Sequence, residues 1–172
     1  MFARVTLRAS NRGASTRFYE TVLPAVGIED WSELGVVQAD GDAVTRRLHI
    51  GFFAPSRDAV EAFWLAGLRA GYRDDGSPGP RPQYSADYYG AFLLDPDGNS
   101  AEAVHEGEPG ARQIDHLWIR VADVAAAKRF YEAHAPQTGF DLHTQLPERV
   151  HFKAPSGASF GLVAGPAMGG GL

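Results

Sequence analysis

One position that recurs in this sequence is occupied by arginine once and by histidine twice. Shifting the N-terminus by 112 positions places Arg4 on His116 and one FYE triplet on a second FYE. Shifting residues 48–63 by 67 positions places His49 on the same residue, His116. A neutral imidazole can ligate a metal or move a proton, whereas an arginine stays protonated and has no lone pair to give. A strand histidine beside an aromatic residue is also often just a packed, hydrogen-bonded side chain.

A glutamate follows a tight turn late in the second copy of this repeat. FLLDPDGNSAEAV (92–104) overlays HFKAPSGASFGLV (151–163), so Glu102 corresponds to Gly161. In DPDGN the aspartates and the asparagine tolerate turn dihedral angles, and Gly98 supplies a positive φ. We interpret the motif first as a turn, which aims the strand that carries Glu102.

Each copy predicts the order β-α-β-β-β. In HLWIRV (116–121), His116, Trp118 and Arg120 point to one face and the apolar residues to the other. A helical pattern follows, with Asp123 as its N-cap, and strand-like segments close the unit. The helix is expected to cover the apolar face of a small sheet, and the opposite face to look into a concavity.

Paired units of this kind, with a strand-opening histidine, an FY pair and DPDGN before a glutamate-bearing strand, resemble the glyoxalase/bleomycin-resistance/extradiol-dioxygenase (vicinal oxygen chelate) superfamily. In that family two units form one cupped half-barrel that binds a divalent metal or a small molecule. The resemblance implies an α+β fold in which units one (1–45) and two (48–105) form a domain over residues 1–107. Unit three (113–164) would be an unpaired half-domain, followed by a disordered tail (165–172).

The family's metal site implies two histidines and one carboxylate, which leave open positions on the ion for substrate oxygens. His49 matches the histidine of unit two, and Glu102 matches the glutamate, as ligand and candidate catalytic residue. Arg4 stands where the first-unit histidine is expected, so this site looks damaged or converted. An Arg4–Glu102 ion pair would be a metal-free replacement.

A second pairing remains open, in which unit two packs against unit three. His49, Glu102 and His116 would then complete a triad, either within one chain or across a dimer. The implied cofactor is a divalent ion such as Fe, Zn, Mn or Ni; a metal-free cleft would need none.

Aromatic and cationic residues around the expected cup are candidates for ligand binding. Tyr84, Tyr88 and Tyr89 would line its mouth and stack on an aromatic ligand, or simply bond backbone groups. Trp118 and Arg120 share the face of His116 and would line a concavity of unit three. The predicted substrate-binding residues are Arg4, Tyr84, Tyr88, Tyr89, Trp118 and Arg120.

Composition limits the classes of partner and compartment. The formal net charge of the 172 residues is −5, without a basic run, which argues against nucleic acid and anionic membranes. The absence of cysteine excludes disulfides and thiolate ligands. No apolar stretch approaches the roughly 20 residues of a membrane span, and no signal peptide is visible, so a cytoplasmic protein is expected.

The expected function is that of a glyoxalase/bleomycin-resistance/dioxygenase-like protein that handles a small organic molecule. If the protein is an enzyme, we expect a metal-dependent lyase or dioxygenase. The alternatives are a metal-free, drug-sequestering protein and a degenerate module kept for dimerisation. An unpaired unit three would expose a sheet edge and an apolar face, so a homodimer is expected.

Overall fold

The computed structural model describes residues 4–106 and 112–166, so residues 1–3, residues 107–111 between units two and three, and residues 167–172 of the predicted tail lie outside the described residues. Its helices begin at side chains that accept a backbone N–H. The Asp123 carboxylate accepts the amide of Ala126 at 2.9 Å, which confirms the predicted N-cap. The helices are α1 (Arg12–Val22), α2 (Arg57–Arg69) and α3 (Val124–Thr138), and a 3-10 helix spans Leu23–Val26.

In the part of the chain that the structure describes, ten strands form one large sheet and one small sheet, which confirms the α+β class. The large sheet has eight strands in the order β4-β5-β6-β3-β7-β10-β9-β8, and β1 pairs with β2 alone. The strands are β1 (Val5–Ala9), β2 (Leu34–Gln38), β3 (His49–Phe53), β4 (Arg73–Pro80), β5 (Tyr89–Leu94), β6 (Ser100–His105), β7 (Ile114–Val121), β8 (Asp141–Leu146), β9 (Arg149–Lys153) and β10 (Ser159–Ala164).

Units two and three are the two halves of the large sheet. In each unit the first and last strands run parallel, β3 with β6 and β7 with β10. The halves join where β3 and β7 pair antiparallel at its centre. The expectation that unit two pairs with unit one, leaving unit three unpaired, is therefore wrong, because β7 occupies the edge of β3 that unit one would have needed.

Unit one is a reduced copy of the repeat. It contains a first strand, a helix and a parallel last strand, but the described residues between the 3-10 helix and β2 contain no hairpin. The expected five-element unit is thus wrong for residues 1–45. Only seven residues, 27–33, separate these elements, and a β-hairpin needs two strands of several residues each.

Unit one packs on the helix side of unit two. The ring of Phe18 on α1 lies 4.8 Å from that of Tyr72, and the ring of Tyr19 lies 6.0 Å from that of Phe52 on β3. These side chains belong to one apolar core that draws residues from all three units. The core therefore covers one face of the large sheet and leaves the other face of β3, β6 and β7 for the site.

No helix among the described residues is long and apolar enough to cross a membrane.

Candidate metal centre

Three side chains from the centre of the large sheet converge on one point. His49 opens β3, Glu102 lies in the middle of β6, and His116 lies on β7. Nε2 of His49 is 2.8 Å from Oε2 of Glu102 and 3.0 Å from Nε2 of His116. The third edge, between Nε2 of His116 and Oε2 of Glu102, is 3.2 Å. All three residues come from one chain, in the pairing of units two and three that the sequence left open.

The spacing of these three atoms suits one face of a metal's coordination octahedron. With bonds of about 2.1 Å, neighbouring ligand atoms of an octahedral ion lie about 3.0 Å apart. The observed edges fall on either side of that value. Two imidazoles and one carboxylate are also a donor set that divalent transition metals accept. The residues present therefore fit a divalent metal.

Each imidazole has a partner for its outer nitrogen. Nδ1 of His49 lies 3.2 Å from the Ser100 hydroxyl, and Nδ1 of His116 lies 3.0 Å from Oδ2 of Asp115. In the neutral imidazoles these partners favour the tautomers in which Nδ1 carries the proton, the form that would present an Nε2 lone pair to a metal. Arg112 holds Asp115 in turn, with NH2 at 2.6 Å from Oδ1.

A β-bulge brings Asp115 to the histidine beside it. Adjacent strand residues normally point to opposite faces. Here Gly51 faces His116 while the next residue, Phe52, faces Ile114, so Asp115 has no opposite partner. Such an extra residue bends the strand and re-aims side chains. Asp115 was not predicted as a site residue; the only sequence signal was its position next to His116.

The charges of the cluster are balanced in the protein interior. Burial opposes ionisation of Glu102, but hydrogen bonds from His116 and His49 lower its pKa to about 2. Burial likewise disfavours the charged form of His116, but hydrogen bonds to Asp115 and Glu102 raise its pKa to about 10. Glu102 is therefore an anion with 1% of its surface exposed, next to a protonated His116. A divalent cation would supply the same counter-charge.

Two glycines, also missed from the sequence, leave room for these side chains. A Cβ on Gly51 would overlap the His116 ring, and a Cβ on Gly90 would overlap Oε1 of Glu102. At the pseudo-symmetric place in unit three, Trp118 replaces the glycine, covers Gly161 and stacks on His151 with ring centroids 5.4 Å apart. The cluster thus has one carboxylate, from unit two, and bulky rings fill the equivalent half.

The DPDGN turn anchors the strands that carry His49 and Glu102. Gly98 has φ of 82°, as predicted for this turn. The Asn99 side chain accepts the Leu48 amide at 3.0 Å and donates to the Thr45 carbonyl at 3.0 Å. Asp97 accepts the backbone amide of Ser10 from unit one. The turn therefore fixes the start of β3 against the start of β6, which brings the two ligand positions together.

The predicted tyrosines lie in three different environments. Tyr84 is 57% exposed and lines a cavity of about 740 Å³ that opens beside His49. Tyr88 is buried, and its hydroxyl donates to Oε1 of Glu102 at 2.8 Å. Tyr89 lies on the opposite face, where its hydroxyl bonds Glu61 of α2 at 2.9 Å.

The other predicted substrate-binding residues also lie in different parts of the structure. Arg120 lines the cavity beside His49, whereas Trp118 faces His49 across the β3–β7 pairing and packs into unit three. Arg4 is exposed, with its guanidinium against Gly35 of β2. Among the described residues no ion pair joins Arg4 to Glu102; the partners of Glu102 are His49, His116 and Tyr88. The expected Arg4–Glu102 pair is therefore not formed, because unit one lies on the other side of the sheet.

Comparisons with known proteins agree with this architecture. No protein-family model and no curated protein matches the sequence. Among solved structures, the chain is similar to a glyoxalase/bleomycin resistance protein from Albidiferax ferrireducens T118, with 27% identity, a TM-score of 0.54, and coverage of 62% of this chain and 99% of that chain. It is also similar to glyoxalase I from Zea mays, with 14% identity, a TM-score of 0.67, and coverage of 98% of this chain and 69% of that chain. The chain therefore has the fold of the glyoxalase/bleomycin-resistance/extradiol-dioxygenase superfamily, also called vicinal oxygen chelate.

Proposed function

We propose that this protein binds one divalent metal ion through His49, Glu102 and His116 and acts on a small organic molecule as a lyase or dioxygenase of the vicinal oxygen chelate type. The convergence of the three ligand atoms at 2.8–3.2 Å carries the proposal. Iron, zinc, manganese and nickel all accept this donor set, and two histidines with one carboxylate are typical of non-haem Fe(II) sites.

A metal in this position would polarise substrate oxygens through its open coordination positions. The chain's own residues prepare the site for that role. Ser100 and Asp115 hold the Nδ1 atoms, so both Nε2 atoms face inward. Tyr88 occupies Oε1 of Glu102 and leaves Oε2 for the metal, so we assign Glu102 to ligation. His49 borders the 740 Å³ cavity, which is where a substrate would reach the site.

Calorimetric titration of chelator-treated, dialysed protein with Co²⁺ tests the proposal. One binding event per chain is expected, and His49→Ala should abolish it. His134→Ala is the matched control, because His134 is exposed on α3 and contacts Phe130, through a hydrogen bond to its carbonyl and through its ring. Binding that survives in His49→Ala would contradict the proposed ligand set.

Metal-free binding of a small molecule is the second candidate function. The cavity beside His49 favours it, because a space of about 740 Å³ lies within the range of ligand sites whether or not a metal is bound. Ligand binding of undiminished affinity in His49→Ala, together with no uptake of metal by the wild type, would favour this candidate over the first.

Association into a homodimer is part of the proposal. An unpaired unit three is not the reason for the dimer, because β7 of unit three pairs with β3. Unit three instead exposes three large apolar side chains, with exposed fractions of 59% for Phe130, 40% for Leu142 and 46% for Leu146. Light scattering should give twice the chain mass of 18.5 kDa; a monomer at high micromolar concentration would contradict the dimer.

A further inference from the structure

Three arginines from separate segments line the cavity beside His49. Arg47 precedes β3, Arg81 follows β4, and Arg120 lies near the end of β7. Only Arg120 was predicted as a site residue. A guanidinium presents several N–H donors in a plane, a geometry that matches the oxygens of a carboxylate or phosphate.

Among residues 4–106 and 112–166, no ion pair involves Arg47, Arg81 or Arg120. The cavity wall holds one carboxylate, Asp75, against these three cations. The chain as a whole carries a net charge of −5, so this local excess of positive charge is opposite in sign to the rest of the molecule. An oxyanion entering the cavity would supply the missing partner.

Contacts within the protein hold one of the arginines in place before any ligand arrives, and a second has an unusual backbone conformation. Arg81 donates to the Ser77 carbonyl at 2.9 Å and lies over the ring of Phe92, 5.4 Å from its centroid. Arg47 has φ of 61°, in the left-handed region that non-glycine residues seldom adopt. Its neighbour Arg46 reaches away to Asp97 at 3.9 Å, while Arg47 itself lines the cavity. Unfavourable backbone conformations of this kind cluster at ligand sites.

We propose that the cavity binds an anionic small molecule whose carboxylate or phosphate group contacts Arg47, Arg81 and Arg120, an inference that rests on the proposed function of this cleft as the ligand site. Tyr84 and Phe92 supply an aromatic wall for the rest of the ligand. The three arginines and His49 line the same cavity, so a ligand held by the arginines would lie beside His49.

Binding of defined probes to metal-free protein tests this inference independently of the metal. Phthalate supplies carboxylates on a ring, phenyl phosphate supplies a phosphate, and phthalamide is the neutral control. Affinities are measured by calorimetry for the wild type, for Arg47→Gln, Arg81→Gln and Arg120→Gln, and for Arg129→Gln. Arg129 is exposed on α3, so its variant makes the same charge change away from the cavity.

We expect at least one oxyanion to bind more tightly than phthalamide, and each cavity variant to weaken it by about tenfold or more. Arg129→Gln should leave the affinity unchanged. The tighter of the two anionic probes identifies the group as carboxylate or phosphate. No oxyanion binding, equal binding of phthalamide, or no greater loss in the cavity variants than in Arg129→Gln would overturn the inference.

The same variants separate this inference from the proposed metal function. All three cavity variants should keep the wild-type affinity for Co²⁺. Normal Co²⁺ binding without oxyanion binding would refute only the anionic ligand. Oxyanion binding that depends on the arginines, with no uptake of Co²⁺, would refute only the metal.

Discussion

At the scale of single residues, the buried charge of Glu102 depends on the hydrogen bonds around it. Tyr88→Phe removes the donor to Oε1 of Glu102 without changing the ring. A hydrogen bond to a charged group contributes about 1.5–3 kcal/mol, so the free energy of unfolding should fall by that amount. Urea denaturation measures it. Tyr89→Phe, which loses only a bond to Glu61 at the surface, should cost clearly less; equal losses would contradict the role of Tyr88.

Asp115 should act on the metal through the imidazole of His116. Asp115→Asn keeps the size of the side chain and removes its charge, which weakens the hold on Nδ1 of His116 and the pairing with Arg112. Loss of such an outer partner typically costs roughly 10–100-fold in metal affinity. Calorimetry with Co²⁺ should show this loss, and Asp141→Asn, on the exposed part of β8, should not. Unchanged affinity in Asp115→Asn would show that the bulge has no part in metal binding.

His151 makes the stability depend on pH. Burial, and then the positive charges of His143, His116, Lys153 and Arg149, lower its pKa from 6.5 to about 4. The unfolded chain therefore binds the proton more readily, so the contribution of His151 is complete above pH 6.5 and is lost as the pH falls towards 4.

Replacing this histidine should reduce the pH dependence. Between about pH 7.5 and about pH 5, urea denaturation should show a smaller fall in unfolding free energy for His151→Gln than for the wild type. His134→Gln controls for the removal of an exposed histidine. A wild-type pH profile in His151→Gln would contradict the assignment.

The three candidate ligands could be named from the sequence because the two histidines recur at one place in units two and three, and the family resemblance adds Glu102 to them. Their outer partners could not. Asp115 reaches His116 only because of a bulge, and alternation along a strand predicts the opposite direction for its side chain. Gly51 leaves space for the His116 ring only because β7 pairs with β3. That pairing is set by the assembly of the whole sheet and cannot be seen in the local sequence.

At the scale of elements, the site depends on the close crossing of β3 and β7. Gly51→Ala would place a methyl group in the space of the His116 ring, whose two nitrogens are already bonded. Overpacking of a filled interior costs about 1–3 kcal/mol, so we expect a lower unfolding free energy and weaker Co²⁺ binding together. Denaturation and calorimetry measure the two effects.

Gly13→Ala is the matched control for this crossing. Gly13 lies in α1, and an added Cβ would meet its nearest atoms at the ordinary distances of 3.4 and 3.5 Å. The variant should keep the wild-type affinity for Co²⁺ and gain stability, since alanine favours helices. Full Co²⁺ affinity in Gly51→Ala would mean that His116 can leave its place without consequence for the site.

The sequence repeat predicted the order of the elements in units two and three. It did not predict which first strands pair with each other. The first strand of every unit has the same pattern, so β3 could pair with β1 or with β7 on local evidence alone. The pairing is decided by unit one, which has no hairpin and packs its helix against unit two. The segment between Gly27 and Glu33 is where this could have been noticed, because it is too short for two strands.

At the scale of the whole molecule, the chain is an eight-stranded cup with a half-unit packed behind it. His49 and Glu102 come from one half of the cup and His116 from the other, so the cluster exists only when both halves are present. Arg4 belongs to the half-unit, against Gly35. Position 4 is therefore predicted to have no influence on metal binding, whereas the sequence alone placed it at the first-unit ligand position of the metal site.

Metal content after equilibration with a divalent metal and exhaustive dialysis tests this account most directly, measured by elemental analysis on the wild type, His116→Ala and Arg4→His. We predict one metal ion per chain in the wild type, almost none in His116→Ala, and the wild-type content in Arg4→His. Metal retained by His116→Ala, or gained only by Arg4→His, would contradict a site built by units two and three.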